Sequence, residues 1–368
     1  MTKVHLTVRG TNILWNGSPR QLKMATSFGW LGLLWNNKTD GAKRWLDRMQ
    51  GIGMDGIRVF GEYKAWEHNG FFFQVPPLYD VWDWGAHKGS DITVSPAYGR
   101  ILRKAVELLQ ERGMIMEYTV SATAKSLTLI PGFREHMCRA VAQFFDQLAP
   151  DGAHNTMFEI ENEYDVHNQQ SPLAPGVISE IGRRWRIARP ERPDRRPDHP
   201  NTLLSISEGG EGAGDWDIHY PVETLSHINV HSPRSHEWED IGVDIALFQD
   251  RYRKPVYLNE NIHYMERKEW DEWIPRIPSW TGLSTRDAKR VIEQANNAFE
   301  AKASYCLHFM TGMLTDPSRP ITRVEQLWRE AFNPRAPEPP PTLPDEPGDT
   351  SSGSGFWGRL LDIIREWF

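Results

Sequence analysis

Cysteine is scarce in this chain: 368 residues contain two, Cys138 and Cys306, and neither sits in a C-x-x-C. A disulfide framework and a zinc ribbon are therefore not expected, and buried free thiols are. A basic surplus is missing as well, since 42 Lys and Arg stand against 49 Asp and Glu for a net charge of −7. Phosphate binding needs clustered Lys and Arg in excess, so nucleic acid is not expected as a partner. No apolar run approaches about 20 residues, which argues against a membrane span. The opening residues MTKVHLTVRG have no apolar core of the kind a Sec leader carries, so none is expected and the compartment stays open. No G-x-G-x-x-G follows the first strand, and G-x-S-x-G and G-x-x-x-x-G-K-[ST] do not occur. Nucleotide-binding and serine-hydrolase readings thus lack their motifs, and no cofactor is expected.

Aromatic residues, by contrast, are plentiful: 16 Trp, 15 Phe and 10 Tyr in a chain that is 39% hydrophobic and 25% charged. That is material for one large core. Many tryptophans fall in stretches that read as loops, among them Trp66, Trp82, Trp84, Trp216, Trp238, Trp270, Trp273 and Trp280. Part of this set caps core edges, as Trp commonly does. The remainder reads as a binding surface.

Short β-branched and apolar runs alternate with longer stretches of helical period from about residue 20 to residue 333. The strand candidates are Met24–Phe28, Gly56–Phe60, Met114–Val120, Met157–Asn162, Leu203–Ser207, Ile228–His231, Val256–Glu260 and Ser304–Met310. Between them Ile101, Leu102, Ala105, Leu108 and Leu109 share one helical face, as do Met137, Val141, Phe144, Phe145 and Leu148. Eight strands, each followed by a helix, is the count for a closed (β/α)8 TIM barrel, here over residues 1–333 and without metal ligands or cofactor motifs. Ahead of it, Val4–Val8 and Ile13–Trp15, with Asn16-Gly17 as turn signal, read as a β-hairpin that plugs the barrel floor.

Two features lie outside the repeating pattern. The connection Gly61–Tyr98 is long and aromatic, carrying Trp82 and Trp84, and loops of that length are usually functional. After Phe332 the composition turns to a Pro/Gly/Ser-rich linker over 334–355, then to an amphipathic helix over 356–368. Phe356, Trp357, Leu360, Leu361, Ile364, Trp367 and Phe368 form one apolar face of that helix. They are expected to dock on the barrel, on a partner helix in an oligomer, or on a larger surface, with anionic lipid least favoured.

Catalytic groups in such a barrel come from the C-terminal ends of strands and the loops after them. The ionisable residues there are few: Arg58 on the second barrel strand, Glu159, Glu161 and Glu163 at the fourth, His231 at the sixth and Glu260 at the seventh. Alternation sorts them. In FEIENEY, Phe158 and Ile160 share one face and the three glutamates the other, and in GIRVF, Arg58 opposes Ile57 and Val59. With the apolar set facing the helices, the charged set faces the lumen, where Arg58 is the natural partner of Glu159 or Glu161. Glu163 and Glu260 then face each other across the mouth, as the two acids of glycoside hydrolysis do. A salt-bridge network at a barrel rim accounts for the spacing equally well.

The motifs break that tie. The segment 158-FEIENEY-164 resembles the fourth-strand motif of clan A glycoside hydrolases, both cellulase-like family five and β-galactosidase-like members, and 255-PVYLNEN-261 resembles their seventh-strand motif. The resemblance spans about residues 10–333. It implies a retaining enzyme with Glu163 as general acid/base and Glu260 as nucleophile, acting on an oligo- or polysaccharide. It also implies substrate-binding roles for Arg58, Asn162 and His231. The chain departs from the family at the third strand, where MEYTVSA offers Tyr118 in place of a His, and at the eighth, where Phe309, Met310 or His308 replaces a Trp platform.

Two rival readings remain. A carbohydrate-binding barrel without activity, such as a virion or surface component, would share the fold, although both acids and Asn162 are retained. A metal-dependent barrel hydrolase would use His227 and His231 with His219, His236 or His263, but MATSFG on the first strand has no H-x-H.

Overall fold

The computed structural model describes residues 1–27, 29–61, 94, 96–121, 140–141, 143–145, 147–149, 155–162, 203–207, 225–231, 241–260, 285–308, 321 and 323–334, with backbone alone for 121, 161, 241, 260, 285–288 and 323. The linker and amphipathic segment expected beyond residue 334 lie outside this set, as does nearly all of the aromatic connection after Gly61.

The chain opens with β1 (Leu6–Arg9), β2 (Asn12–Trp15) and β3 (Ser18–Pro19). The barrel strands are β4 (Lys23–Thr26), β5 (Gly56–Phe60), β6 (Ile115–Ser121), β7 (Thr156–Glu161), β8 (Leu204–Ser205), β9 (Ile228–His231), β10 (Val256–Glu260) and β11 (Ser304–Leu307). The described helices are α1 (Trp30–Trp35), α2 (Thr39–Gly51), α3 (Pro96–Arg112), α4 (Ile241–Tyr252), α5 (Thr285–Glu300) and α6 (Arg323–Phe332). The eight strand candidates read from the sequence are these eight barrel strands.

They form one parallel sheet in the order β8-β7-β6-β5-β4-β11-β10-β9, so each strand lies beside its neighbours in sequence and β11 returns to β4. The remaining seam, β8 to β9, is bridged just below β9. The Ser226 amide donates to the Leu204 carbonyl at 2.8 Å, and the Leu204 amide donates to Ser226 Oγ at 3.1 Å. The result is a nearly closed (β/α)8 barrel.

Alternation divides the side chains into two layers. Ile57, Val59, Met116, Tyr118, Phe158, Ile160, Leu258 and Tyr305 face outward and pack with the helices in one large core. The opposite set faces the lumen. At its lower end Met24, Ile115, Met157, Leu203, Tyr257 and Cys306 meet Val4, Leu6 and Ile13 of the N-terminal sheet in a second apolar cluster. The N-terminal strands thus plug the barrel floor. A Cβ on Gly56 would lie 2.2 Å from the Ile115 carbonyl oxygen, so only glycine lets β5 and β6 close over this plug.

One local reading needs correction. The sheet is a three-stranded meander, and Asn16-Gly17 joins β2 to β3 instead of closing the first hairpin. Both residues have positive φ, 51° and 85°, as a type I′ turn requires. The β1–β2 loop is Gly10-Thr11, with Gly10 at φ 58° in the first central position, where a II′ loop needs positive φ.

Helices α2 and α6, far apart in the chain, are tied together. Arg48 of α2 donates from Nε and Nη2 to Glu325 of α6 at 2.9 and 2.7 Å, a two-armed pair with both side chains nearly buried. Glu325 also lies in the first turn of α6, where the helix dipole favours a carboxylate. Glu325→Ala strands a buried guanidinium and should cost about 3–5 kcal/mol in urea unfolding, whereas Arg48→Met with Glu325→Leu should cost much less. Equal losses for the single and double variants would show that packing at this contact, and not the pair, holds the helices.

Candidate active site

Above the apolar floor the lumen turns polar, because each strand places its alternate residues inward: Arg58 from β5, Glu117 and Thr119 from β6, Glu159 from β7, Ser205 from β8, Asn229 and His231 from β9, and Asn259 from β10. All are buried, and Arg58, Glu117, Thr119, Glu159, Ser205 and Asn259 have no exposed surface. A charge here keeps its place only if paired.

Arg58 supplies the pairing. Its Nη2 donates to Glu159 Oε2 at 2.6 Å, and its Nε lies 3.8 Å from Glu117 Oε2. The same Nη2 donates to Asn162 Oδ1, and Nη1 donates to the Asn259 backbone carbonyl at 3.1 Å. The guanidinium also lies over the Phe60 ring, 4.7 Å from its centroid. Only Arg carries donors in a planar fork that reaches several acceptors at once; a Lys ammonium has no such geometry.

The two carboxylates share further donors. Asn229 Nδ2 lies 3.2 Å from Glu117 Oε1 and 3.3 Å from Glu159 Oε1, and Asn259 Nδ2 lies 3.4 and 2.7 Å from the same two atoms. Thr119 donates to Glu159 Oε2 at 2.6 Å, and the Tyr257 hydroxyl donates to Glu117 Oε2 at 2.6 Å. One cation facing two acids forces an unequal split. Burial pushes Glu159 upward, but Arg58, the Thr119 hydrogen bond and the charge of His231 outweigh it, and its carboxyl lies below the usual range. Glu117 has no hydrogen bond from Arg58 at 3.8 Å. Burial raises it from 4.5 to about 7; Arg58 opposes the shift and the Glu159 charge adds to it. The one cation thus favours the ionised form of Glu159, and Glu117 holds a proton more tightly than a free glutamate does.

The sequence-derived residues fall in different places. Arg58, Asn162 and His231 are brought to one polar centre, and Arg58 takes Glu159 as its partner. The Glu260 backbone ends β10 in register with His231, while its side chain lies outside the described residues. Glu163, Trp82, Trp84 and Phe309 lie outside them too. Tyr118 is a correction: it belongs to the outward layer, against Phe145 and Phe158 at ring centroids 5.9 and 6.3 Å, with its hydroxyl 3.3 Å from that of Tyr98. By the alternation of β6, Glu117 and Thr119 are the residues offered to the lumen.

His227 immediately precedes β9 and His231 ends it, roughly 13 Å apart at strand rise and too far to share one ion. Burial lowers His227 to about 4, so it is a neutral residue of the lower lumen. Among the described residues no group of three or more His, Cys, Asp or Glu is placed to hold a metal ion, and no helix is long and apolar enough to cross a membrane.

Sequence reasoning missed Glu117, Asn229, Tyr257 and Asn259, and also a pair at the top of the lumen, where Thr26 Oγ1 lies 2.9 Å from His308 Nδ1. Parity within MIMEYTV would have found Glu117. Nothing local pairs Thr26 with His308, which meet only because β11 returns to β4.

No protein-family model matches the chain, and no curated protein matches it in sequence. Solved structures do match in fold. A glycoside hydrolase family 5 mannosidase from Rhizomucor miehei has a TM-score of 0.57 at 13% identity, covering 89% of this chain and 96% of that one. A β-glucanase from Saccharophagus degradans has 0.54 at 12%, covering 90% and 95%. A β-mannanase from the blue mussel Mytilus edulis has 0.52 at 14%, covering 91% and 97%. Two longer glycoside hydrolase structures from Bacteroides vulgatus are spanned over 60% and 63% of their length. At such identities the likeness establishes the barrel fold that these enzymes share.

The buried acid gives the lumen a measurable signature. Glu117 is neutral below 4.5 in both folded and unfolded chains, and between 4.5 and about 7 the unfolded chain ionises first. Its contribution to stability is therefore full below pH 4.5 and lost as pH rises through about 7. Relative to Glu117→Gln, the wild type should lose unfolding free energy across that interval. A difference between the two that stays flat with pH would mean Glu117 is ionised throughout.

Proposed function

We propose that this chain is a retaining glycoside hydrolase that cleaves β-linked bonds of an oligo- or polysaccharide through a glycosyl-enzyme intermediate. The observation that carries the reading is the span of Arg58. One guanidinium holds the Asn162 side chain and the Asn259 carbonyl, and each of these residues immediately precedes one of the two acids of the resembling motifs. A rim network evolved only for stability has no need to fix those two points from one buried cation.

In this reading Glu260 attacks the anomeric carbon while Glu163 protonates the leaving oxygen. Glu163 then takes a proton from the water that releases the sugar. The charge of Glu260 keeps Glu163 protonated until the ester forms and removes that charge, after which Glu163 acts as base. Arg58 favours the ionised nucleophile, Asn162 and His231 bind the sugar, and Trp82 and Trp84 stack on its C–H faces. The names of the structural neighbours, mannosidase, β-mannanase and β-glucanase, one of them solved with cellotetraose, make β-mannans and β-glucans the first substrates to test.

The test is a hydrolysis screen on those polysaccharides and on chromogenic β-glycosides, followed by two variants. Glu260→Ala should lower kcat by roughly 10⁴-fold or more, because no other group forms the ester. Glu163→Ala should lose roughly 10²–10⁴-fold on poor leaving groups and much less on activated ones, with azide restoring turnover and yielding a β-glycosyl azide. An α-glycosyl azide, or undiminished turnover in Glu260→Ala, would overturn the retaining assignment.

The aromatic connection makes a separate prediction. Trp82→Ala and Trp84→Ala should raise KM with little change in kcat, since a lost stacking surface affects binding in ground and transition state alike. Unaltered kinetics in both would return these residues to a structural role.

A further inference from the structure

The alternation that sorts the barrel strands into inner and outer residues breaks at the end of β10. Along β9, Ile228 and Val230 pack in the outer core while Asn229 and His231 turn inward, toward Glu117 and Glu159. The strand β10 begins in step with it. Val256 pairs with Ile228 and Leu258 with Val230 on the outer face, and Tyr257 pairs with Asn229 on the inner one. The next pair is Glu260 with His231. Two residues of β10 thus advance against one of β9, and Asn259 is the extra residue of a β-bulge. Bulges are infrequent between parallel strands and recur beside active sites, where they re-aim a side chain.

Both polar groups of Asn259 anchor the bulge. Its Nδ2 donates to Glu159 Oε1 at 2.7 Å, and its backbone carbonyl accepts from Arg58 Nη1 at 3.1 Å. Carbonyls of a regular strand point along the sheet to the strands beside it. One that meets a guanidinium inside the lumen has turned out of that plane. Asn259 has no exposed surface, so water does not compete for either link.

Without the extra residue Glu260 would take the parity of Leu258 and face the helices. With it, Glu260 stands opposite the inward-facing His231, and cross-strand partners share a face. We propose that Asn259 is a positioning residue: the bulge it forms, held by the Arg58–Glu159 pair, turns the Glu260 side chain into the mouth of the lumen beside His231. The anion holds the Asn259 amide and the cation holds its carbonyl. The direction of the next Cα–Cβ bond follows from the backbone that these two links fix.

The bulge and its aim stand on the fold alone. That Glu260, so aimed, meets an anomeric carbon rests on the glycosidase reading.

The experiment is a crystal structure of the full chain and of Asn259→Ala, with kinetics of both on whichever substrate the hydrolysis screen identifies. In the wild type the Glu260 carboxyl should lie on the lumen side of β10, next to His231. In Asn259→Ala it should shift by about 1 Å or lose a single position, and kcat should fall roughly 10²-fold with KM little changed, because a misplaced nucleophile affects the transition state before binding. Should Asn259→Ala fail to fold, Asn259→Ser, a shorter polar side chain at the same place, carries the same test. Glu260 on the helix side in the wild type would overturn the proposal. So would an unmoved Glu260 in the variant, or a loss confined to KM. A negative hydrolysis screen with Glu260 on the lumen side and displaced in the variant would strike the glycosidase reading alone.

Discussion

A guanidinium sealed in a barrel lumen without exposed surface must be neutralised on the spot, and the arrangement around Arg58 follows from that constraint. Attraction to a carboxylate is strong where water is absent, but so is the cost of any charge left over. Glu159 meets the need at 2.6 Å. Burial and the neighbouring charge of Glu159 therefore push the Glu117 carboxyl up to about 7, against the pull of Arg58. The choice between them is geometric: the acid that receives the Arg58 hydrogen bond keeps its charge.

The layers around this centre exist in relation to it. Below, the N-terminal meander closes the floor with Val4, Leu6 and Ile13 against Met24, Ile115 and Met157. Outside, the strand–helix core covers every strand. Both exclude water, which strengthens each link of the polar layer and raises the penalty for breaking any one of them. Replacing the whole cluster with fitted apolar residues would serve stability as well or better, so ion pairing for its own sake is a weak explanation for its presence. What an apolar filling would lose is the direction of the guanidinium arms.

Much of this was legible in the sequence because strands announce themselves locally. Runs such as GIRVF and FEIE carry their own alternation, and that alternation is enough to turn Arg58 and Glu159 each toward the lumen. Tyr118 belongs to the outward layer because it shares the parity of Met116 and Val120, a pattern that the family likeness at this strand does not convey. Asn16-Gly17 announced a turn correctly but was joined to the wrong pair of strands, since a turn signal does not say which flanking run it closes. Glu117 was hidden among apolar neighbours, and its importance depends on a tyrosine 140 residues away. Contacts of that kind are created by barrel closure and have no local trace.

Arg58 also limits how much of the mouth must be specified elsewhere. Its two Nη arms end on the Asn162 side chain and on the Asn259 carbonyl, so the tips of β7 and β10 are tied to one buried cation. Barrel architecture separates stability, carried by strands and floor, from chemistry, carried at the C-terminal ends. In the proposed reading one residue, Arg58, belongs to both parts. Loops attached to such tips are free to vary in length and composition, whereas a change within the lumen must be matched by its partners. The same fold is shared with the neighbouring barrels at only 10–14% identity. That asymmetry places the sequence information that matters most in a few inward-facing positions, where a single substitution alters charge, hydrogen bonding and backbone position together.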